Sequence, residues 1–306
     1  MDSLFATFTN SLTALSLCIV VGFICRKRMI ITDEHVSGLA EVLVKVGMPS
    51  TIFISMMRPF TMSLLLESTA TFVITGLFYL IGGAIALGLA RTMKASIGER
   101  QAWVFGMIFG NVGFMGLPVI YAVFGYDGMI YASMANASFN VLAFTIGVRI
   151  YGDGTRKGGA LVRIIKTPAL VATFFGMIFF VTGLRLPSPL ENGVTLLGGL
   201  TTPISLIIVG TTVARQRIWD MFKDWRFYPA VGLRLLVLPV LTVFVLRPFL
   251  PELMLGVIVT LVAMPAAALT VVFAEQGRGD TVSAVKIVIL STILCVVTVP
   301  LISFLL

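Results

Sequence analysis

The 306-residue chain is 58% hydrophobic and 12% charged, about half the charged share of an ordinary soluble domain. Its net charge of +8 comes from short Lys/Arg clusters between apolar runs, which argues for a membrane protein and against a nucleic-acid-binding surface. One histidine, His35, and three cysteines, at 18, 25 and 295, argue against a His-based metal centre or triad and against a disulfide framework.

Ten apolar runs follow one another, at about 6–25, 36–57, 67–90, 101–124, 128–151, 164–184, 191–214, 227–247, 252–276 and 281–305. Each is near the ~20 residues that cross ~30 Å of hydrocarbon. The alternating ~10-residue segments of a β-barrel do not occur. The opening MDSLFATFTN lacks a basic stretch, so the first span is expected to remain as an anchor. The cysteines read as apolar residues within spans or at their ends.

Span 2 carries Glu41 and Lys45 one turn apart, then VGMPSTIFIS with Pro49 and Thr51. Lys45 lies roughly 13 Å into the span at 1.5 Å per residue. It reads either as a functional intramembrane cation or as half of a snorkelled Glu41–Lys45 pair. Span 4 contains GNVGFMGLPVI, where Gly110, Asn111, Gly113, Gly116 and Pro118 loosen or break a helix. Proline suits a first helical position, so a second half-helix is expected to start near Leu117 or Pro118. Asn111 either satisfies freed backbone or contacts a ligand, and the glycines also suit close helix packing. Span 5 puts Asn136 and Asn140 on one face, either to bridge helices or to meet a substrate.

After the linker GDGTRKGG, span 7 contains LTTPISLIIVG with Pro203 and Ser205. The loop RQRIWDMFKDWR spaces Trp219, Phe222 and Trp225 as an interfacial helix would. Span 9 contains VAMPAAALTVV, with a half-helix expected to start near Pro265 and Ala266, and with Thr270 close by. Thr51, Ser205 and Thr270 are read first as bonding backbone. Arg149, Arg234 and Lys286 are placed near enough to the interface to snorkel, with Glu275 also toward that side. No acidic residue falls clearly at mid-membrane, which argues against a carboxylate sodium site.

Loops after the odd-numbered spans hold fifteen Lys/Arg and the alternate loops three, so the first set is expected to be cytoplasmic and both termini outside. The Pro-marked features recur in the two halves, 1–152 and 160–306. Five spans per half make the second unit inverted, the arrangement of secondary transporters. If spans 4 and 9 cross at their breaks, two positive half-helix ends meet and suit a carboxylate.

The stretches GNVGFMGLPVI, LTTPISLIIVGTTVA, MPAAALTVVFAEQGRGD and IVILSTILCVVTVPL, in that order, resemble the auxin efflux carrier family, in particular its bacterial malonate or malate permease-like members. The resemblance covers essentially the whole chain. It implies an all-α membrane fold of ten transmembrane helices in two inverted five-helix repeats, similar to bile-acid sodium symporters, with broken helices 4 and 9 crossing. It places the crossover prolines at Pro118 and Pro265 and the preceding polar residue at Asn111. The long cytoplasmic loop of plant members is absent here, so plant auxin transport does not carry over.

The expectation is a secondary carrier of a small organic anion, such as malonate or malate, with elevator-like motion. The site residues would be Asn111, Gly116, Pro118, Asn140, Pro265, Ala266 and Thr270, with Lys45 and Glu41 as coupling candidates. Auxin-like monocarboxylates are the alternative substrate, and a non-concentrative sensor or channel the alternative class. An enzyme is disfavoured by the missing His, Cys and acid constellations. No cofactor is expected; coupling to H⁺, Na⁺ or membrane potential alone is open. Partners are the substrate and the lipid bilayer, with a homodimer allowed and no nucleic acid.

Overall fold

The computed structural model describes residues 2–92, 95–147, 150–151, 167–215, 222–276 and 279–306, with the side chains of 2–9, 11–12 and 275–276 outside that description. The linker 152–159, Arg149, Trp219 and the Glu275 side chain therefore lie outside the described residues. In chain order the helices are α1 (Asp2–Lys27), α2 (Asp33–Met56), α3 (Met62–Thr92), α4 (Ile97–Ile108), α5 (Val112–Gly147) and α6 (Pro168–Thr182). They continue as α7 (Ser188–Ala214), α8 (Trp225–Leu246), α9 (Glu252–Val262), α10 (Leu269–Gln276) and α11 (Thr281–Ser303). Six of them (α2, α3, α5, α7, α8 and α11) are long and apolar enough to cross a membrane, and α6 and α9 are apolar but shorter. This is a multi-pass membrane protein.

Local chemistry explains the irregularities. A five-residue turn of wider π geometry stands just ahead of a proline at Leu43–Gly47 before Pro49, Val112–Gly116 before Pro118 and Leu233–Val237 before Pro239. A proline has no N–H and its ring collides with the carbonyl four residues back; a wider turn accommodates both without ending the helix. α5 bends at Gly125, whose φ of 59° a side chain would resist. The bend is sharp. A Cβ at Gly128 would lie 3.0 Å from Ile120, eight residues earlier, although such residues stand ~12 Å apart along a straight helix. α4 begins with a capping box: Ser96 Oγ accepts from Glu99 N at 3.2 Å, and Ser96 N donates to Glu99 Oε2 at 2.9 Å.

The helices pack as two groups. In one, α1 lies against α7, α2 against α6, and α2 against α7. Small residues allow these approaches: a Cβ at Gly22 would strike the Ile207 carbonyl, and one at Gly210 the Ile19 carbonyl. Thr51 Oγ1 donates to Gly198 O at 2.8 Å and lies 2.8 Å from Thr201 Oγ1, tying α2 to α7 at their Pro-marked stretches. In the other group α3 packs on α4 and α5, α5 on α9, and α11 on α4 and α10.

Candidate functional site

The second group is organised around two breaks that touch. α4 ends at Ile108, and Phe109 turns extended, with φ −94° and ψ 109°. α9 ends at Val262, and the chain is non-helical until α10 begins at Leu269. Across the gap, Gly110 pairs antiparallel with Ala266. Asn111 N donates to Pro265 O at 2.7 Å, and Ala267 N donates to Phe109 O at 2.9 Å. Backbone freed by breaking one helix is thus satisfied by backbone freed from the other, which is what apolar surroundings require. A third tie comes from α11, where Ser291 Oγ accepts from Ala266 N at 3.0 Å.

The first break falls earlier than proline placement suggests. Its second half-helix starts at Val112, with Asn111 as N-cap: Asn111 Oδ1 accepts from Phe114 N at 3.2 Å. Pro118 is buried further along and is accommodated by the π turn before it, so it does not start the half-helix. In the second break Pro265 lies within the non-helical stretch and lends its carbonyl to Asn111, while the half-helix starts at Leu269 rather than near Ala266. The two prolines therefore occupy unlike places.

Arg234, on α8, stands at the centre of this crossing and is 1% exposed. It does not snorkel to the interface as its sequence position suggests. Its Nε donates to Met264 O at 3.0 Å and its Nη1 to Ile108 O at 2.8 Å, with Met107 O and Leu261 O each 3.5 Å from an Nη atom. These carbonyls belong to the ends of α4 and α9 and to the turn that follows α9. A Cβ at Gly110 would lie 1.7 Å from Arg234 Nη2, so only glycine admits the guanidinium here. The sequence did carry a signal: Arg234 is eight residues past Arg226, the same depth argument that singled out Lys45. An aromatic wall closes the crossing, with Phe109 stacked on Tyr79 at 5.3 Å and set against Phe105 at 4.6 Å and Phe139 at 5.8 Å.

The remaining candidates are more scattered. A Cβ at Gly116 would lie 2.7 Å from Leu261, so this glycine serves the close approach of α5 to α9. Asn140 is buried, but its Nδ2 donates to Asn136 O of its own helix at 2.7 Å. Thr270 donates to Ala267 O at 2.6 Å and Ser205 to Thr202 O at 3.0 Å, both backbone bonds, and Thr51 Oγ1, which donates to Gly198 O, also lies 3.1 Å from Gly47 O. Lys45 and Glu41 form an ion pair whose side chains are 63% and 61% exposed, so the lysine is not a buried lone cation. Lys286 reaches Asp224 at 2.9 Å, just before α8, and Arg226 reaches Glu99 of α4 at 3.2 Å.

A profile of the family described as "Membrane transport protein" matches the chain in two stretches, residues 7–160 and 156–303. A protein named as an uncharacterized transporter in Methanothermobacter thermautotrophicus is 27% identical over 308 residues, covering 97% of this chain and 98% of that one. Another uncharacterized transporter, from Methanocaldococcus jannaschii, is 26% identical over 208 residues, covering 65% and 67% respectively.

Proposed function

Because this chain belongs to the membrane transport protein family, with the auxin efflux carrier resemblance its sequence bears, we propose that it is a secondary carrier of small organic anions. A dicarboxylate such as malonate or malate is the substrate, and an auxin-like monocarboxylate is the neighbouring alternative. The pairing of the two breaks carries the reading. It brings the starts of α5 and α10 toward one place, and each helix start carries roughly half a positive charge. Asn111 adds an amide at the same point. A carboxylate is the ligand class that this chemistry suits.

The chain is read as ten crossings, with α5 counting as two because of its bend at Gly125, and with each broken helix counting as one. Two inverted units, 1–152 and 160–306, are supported by exchange of partners: swapping halves turns the α1–α7 contact into α6–α2, and α4–α11 into α9–α5. The division into two packed groups supports movement of the crossing group against the other, in the manner of an elevator. Charge in the loops supports both termini lying outside the cell membrane.

A thermal-shift series on purified protein tests the substrate class. Malonate or malate is expected to raise the melting temperature saturably, while the uncharged malonamide leaves it unchanged. A shift with indole-3-acetate alone moves the substrate to the alternative, and no shift with any carboxylate contradicts the reading.

A further inference from the structure

We propose that Arg234 is the built-in cation of the crossing: its guanidinium occupies the place between two carbonyl helix ends that a bound monovalent cation would otherwise fill, and leaves the site matched to one carboxylate. The carboxylate part rests on the carrier reading above. The cation part rests on geometry alone.

The ends of α4 and α9 each leave carbonyls without an intrahelical partner, and each end carries roughly half a negative charge. Brought together in an apolar interior, two such ends repel each other unless something positive stands between them. Arg234 does so, with Ile108 O of α4 at 2.8 Å on one side and, on the other, Leu261 O of α9 at 3.5 Å and Met264 O of the turn that follows α9 at 3.0 Å. Its planar, permanently charged fork suits several carbonyls at fixed angles, which a compact ammonium matches less well. The glycine at 110 provides the space. No carboxylate contacts the guanidinium among the described residues, where its hydrogen-bond partners are all backbone carbonyls.

Charge balance follows. One guanidinium offsets two half-charges of negative sign, and the two half-charges at the starts of α5 and α10 remain, about one positive charge in total. That matches one carboxylate. The second carboxylate of a dicarboxylate then lies beyond the crossing and contributes little to binding there.

The test uses full-length Arg234→Gln and Arg234→Lys, each shown monodisperse in detergent, without substrate. Wild-type melting is expected to be the same in choline, sodium, potassium or low-millimolar guanidinium chloride. Arg234→Gln is expected to melt roughly 5–10 °C lower in choline and to recover at least half of that loss with guanidinium or an alkali ion. Arg234→Lys falls between the two and responds to no cation. A variant as stable as wild type, or one whose loss no cation alters, overturns the proposal. Such cation-specific recovery is not expected of a side chain that merely fills space. In the second arm, monomethyl malonate is expected to half-saturate wild type within about threefold of malonate, and dimethyl malonate not to bind. A monoester about a hundredfold weaker overturns the one-carboxylate match. Failure of all three to bind contradicts the malonate reading and leaves the cation result standing.

Discussion

Asn111 does two jobs that substitution can separate. Its Oδ1 caps Phe114 N at the start of α5, and its Nδ2 meets no acceptor among the described residues. Asn111→Ala is expected to cost about 1 kcal/mol in stability, as cap loss usually does, and also to weaken anion binding. Asn111→Asp keeps a capping oxygen but sets a negative charge where the carboxylate goes. It is expected to remain folded, by melting temperature, and to bind malonate at least about tenfold more weakly, roughly 1.4 kcal/mol. If Asn111→Asp binds like wild type, the carboxylate does not sit beside this residue at the crossing. At Gly110 a methyl group collides with the guanidinium, so Gly110→Ala is expected to lower stability by about 3 kcal/mol or more, seen as loss of monodisperse protein. Sequence singled out Asn111 because a polar amide beside glycines is unusual in an apolar span. It did not single out Arg234, because a cation near a basic loop reads as snorkelled, and only the tertiary packing of α8 on both breaks shows where it points.

Among the elements, the broken helices were legible in outline, while the positions of the breaks were not. Proline marks an irregularity, but a π turn absorbs Pro118 and lets the helix continue, whereas Gly110 and Asn111 leave it. Backbone pairing between the breaks, which no single stretch encodes, decides where each helix stops. Ser291 of α11 supports that pairing, and Ser291→Ala leaves Ala266 N–H buried without its partner. The expected loss is about 1–3 kcal/mol, measured by thermal or denaturant unfolding. The start of α8 is pinned differently. The hydrogen bond from Arg226, against the opposing effect of burial and with help from Lys286, holds the Asp224 carboxyl below its ordinary value of 3.8. A carboxyl lowered in the folded state adds stability above its unfolded value and loses it as pH falls through the folded one. Melting temperature is therefore expected to drop on acidification below about pH 4. Asp224→Asn should show less of this acid-side loss, and an identical acid profile would remove the ion pair from the account.

For the whole molecule, the two-group packing was not readable from any one segment, although the inverted halves that would generate it were suggested by Pro49, Pro118, Pro203 and Pro265. The groups meet along an apolar seam. There α1, α7, α11 and residues Met115 and Met264 enclose a cavity of about 30 Å³, room for one water and lined mainly by carbon. A carrier of the proposed kind moves one group past the other along such a seam, whereas a channel opens without cycling. Counterflow separates them and needs no knowledge of direction or coupling. Proteoliposomes loaded with unlabelled malonate and given trace labelled malonate outside are expected to accumulate label transiently above its equilibrium level with wild type, and to show only background with Asn111→Asp. Label that merely equilibrates, or accumulation undiminished by Asn111→Asp, would contradict carriage of a carboxylate at the crossing.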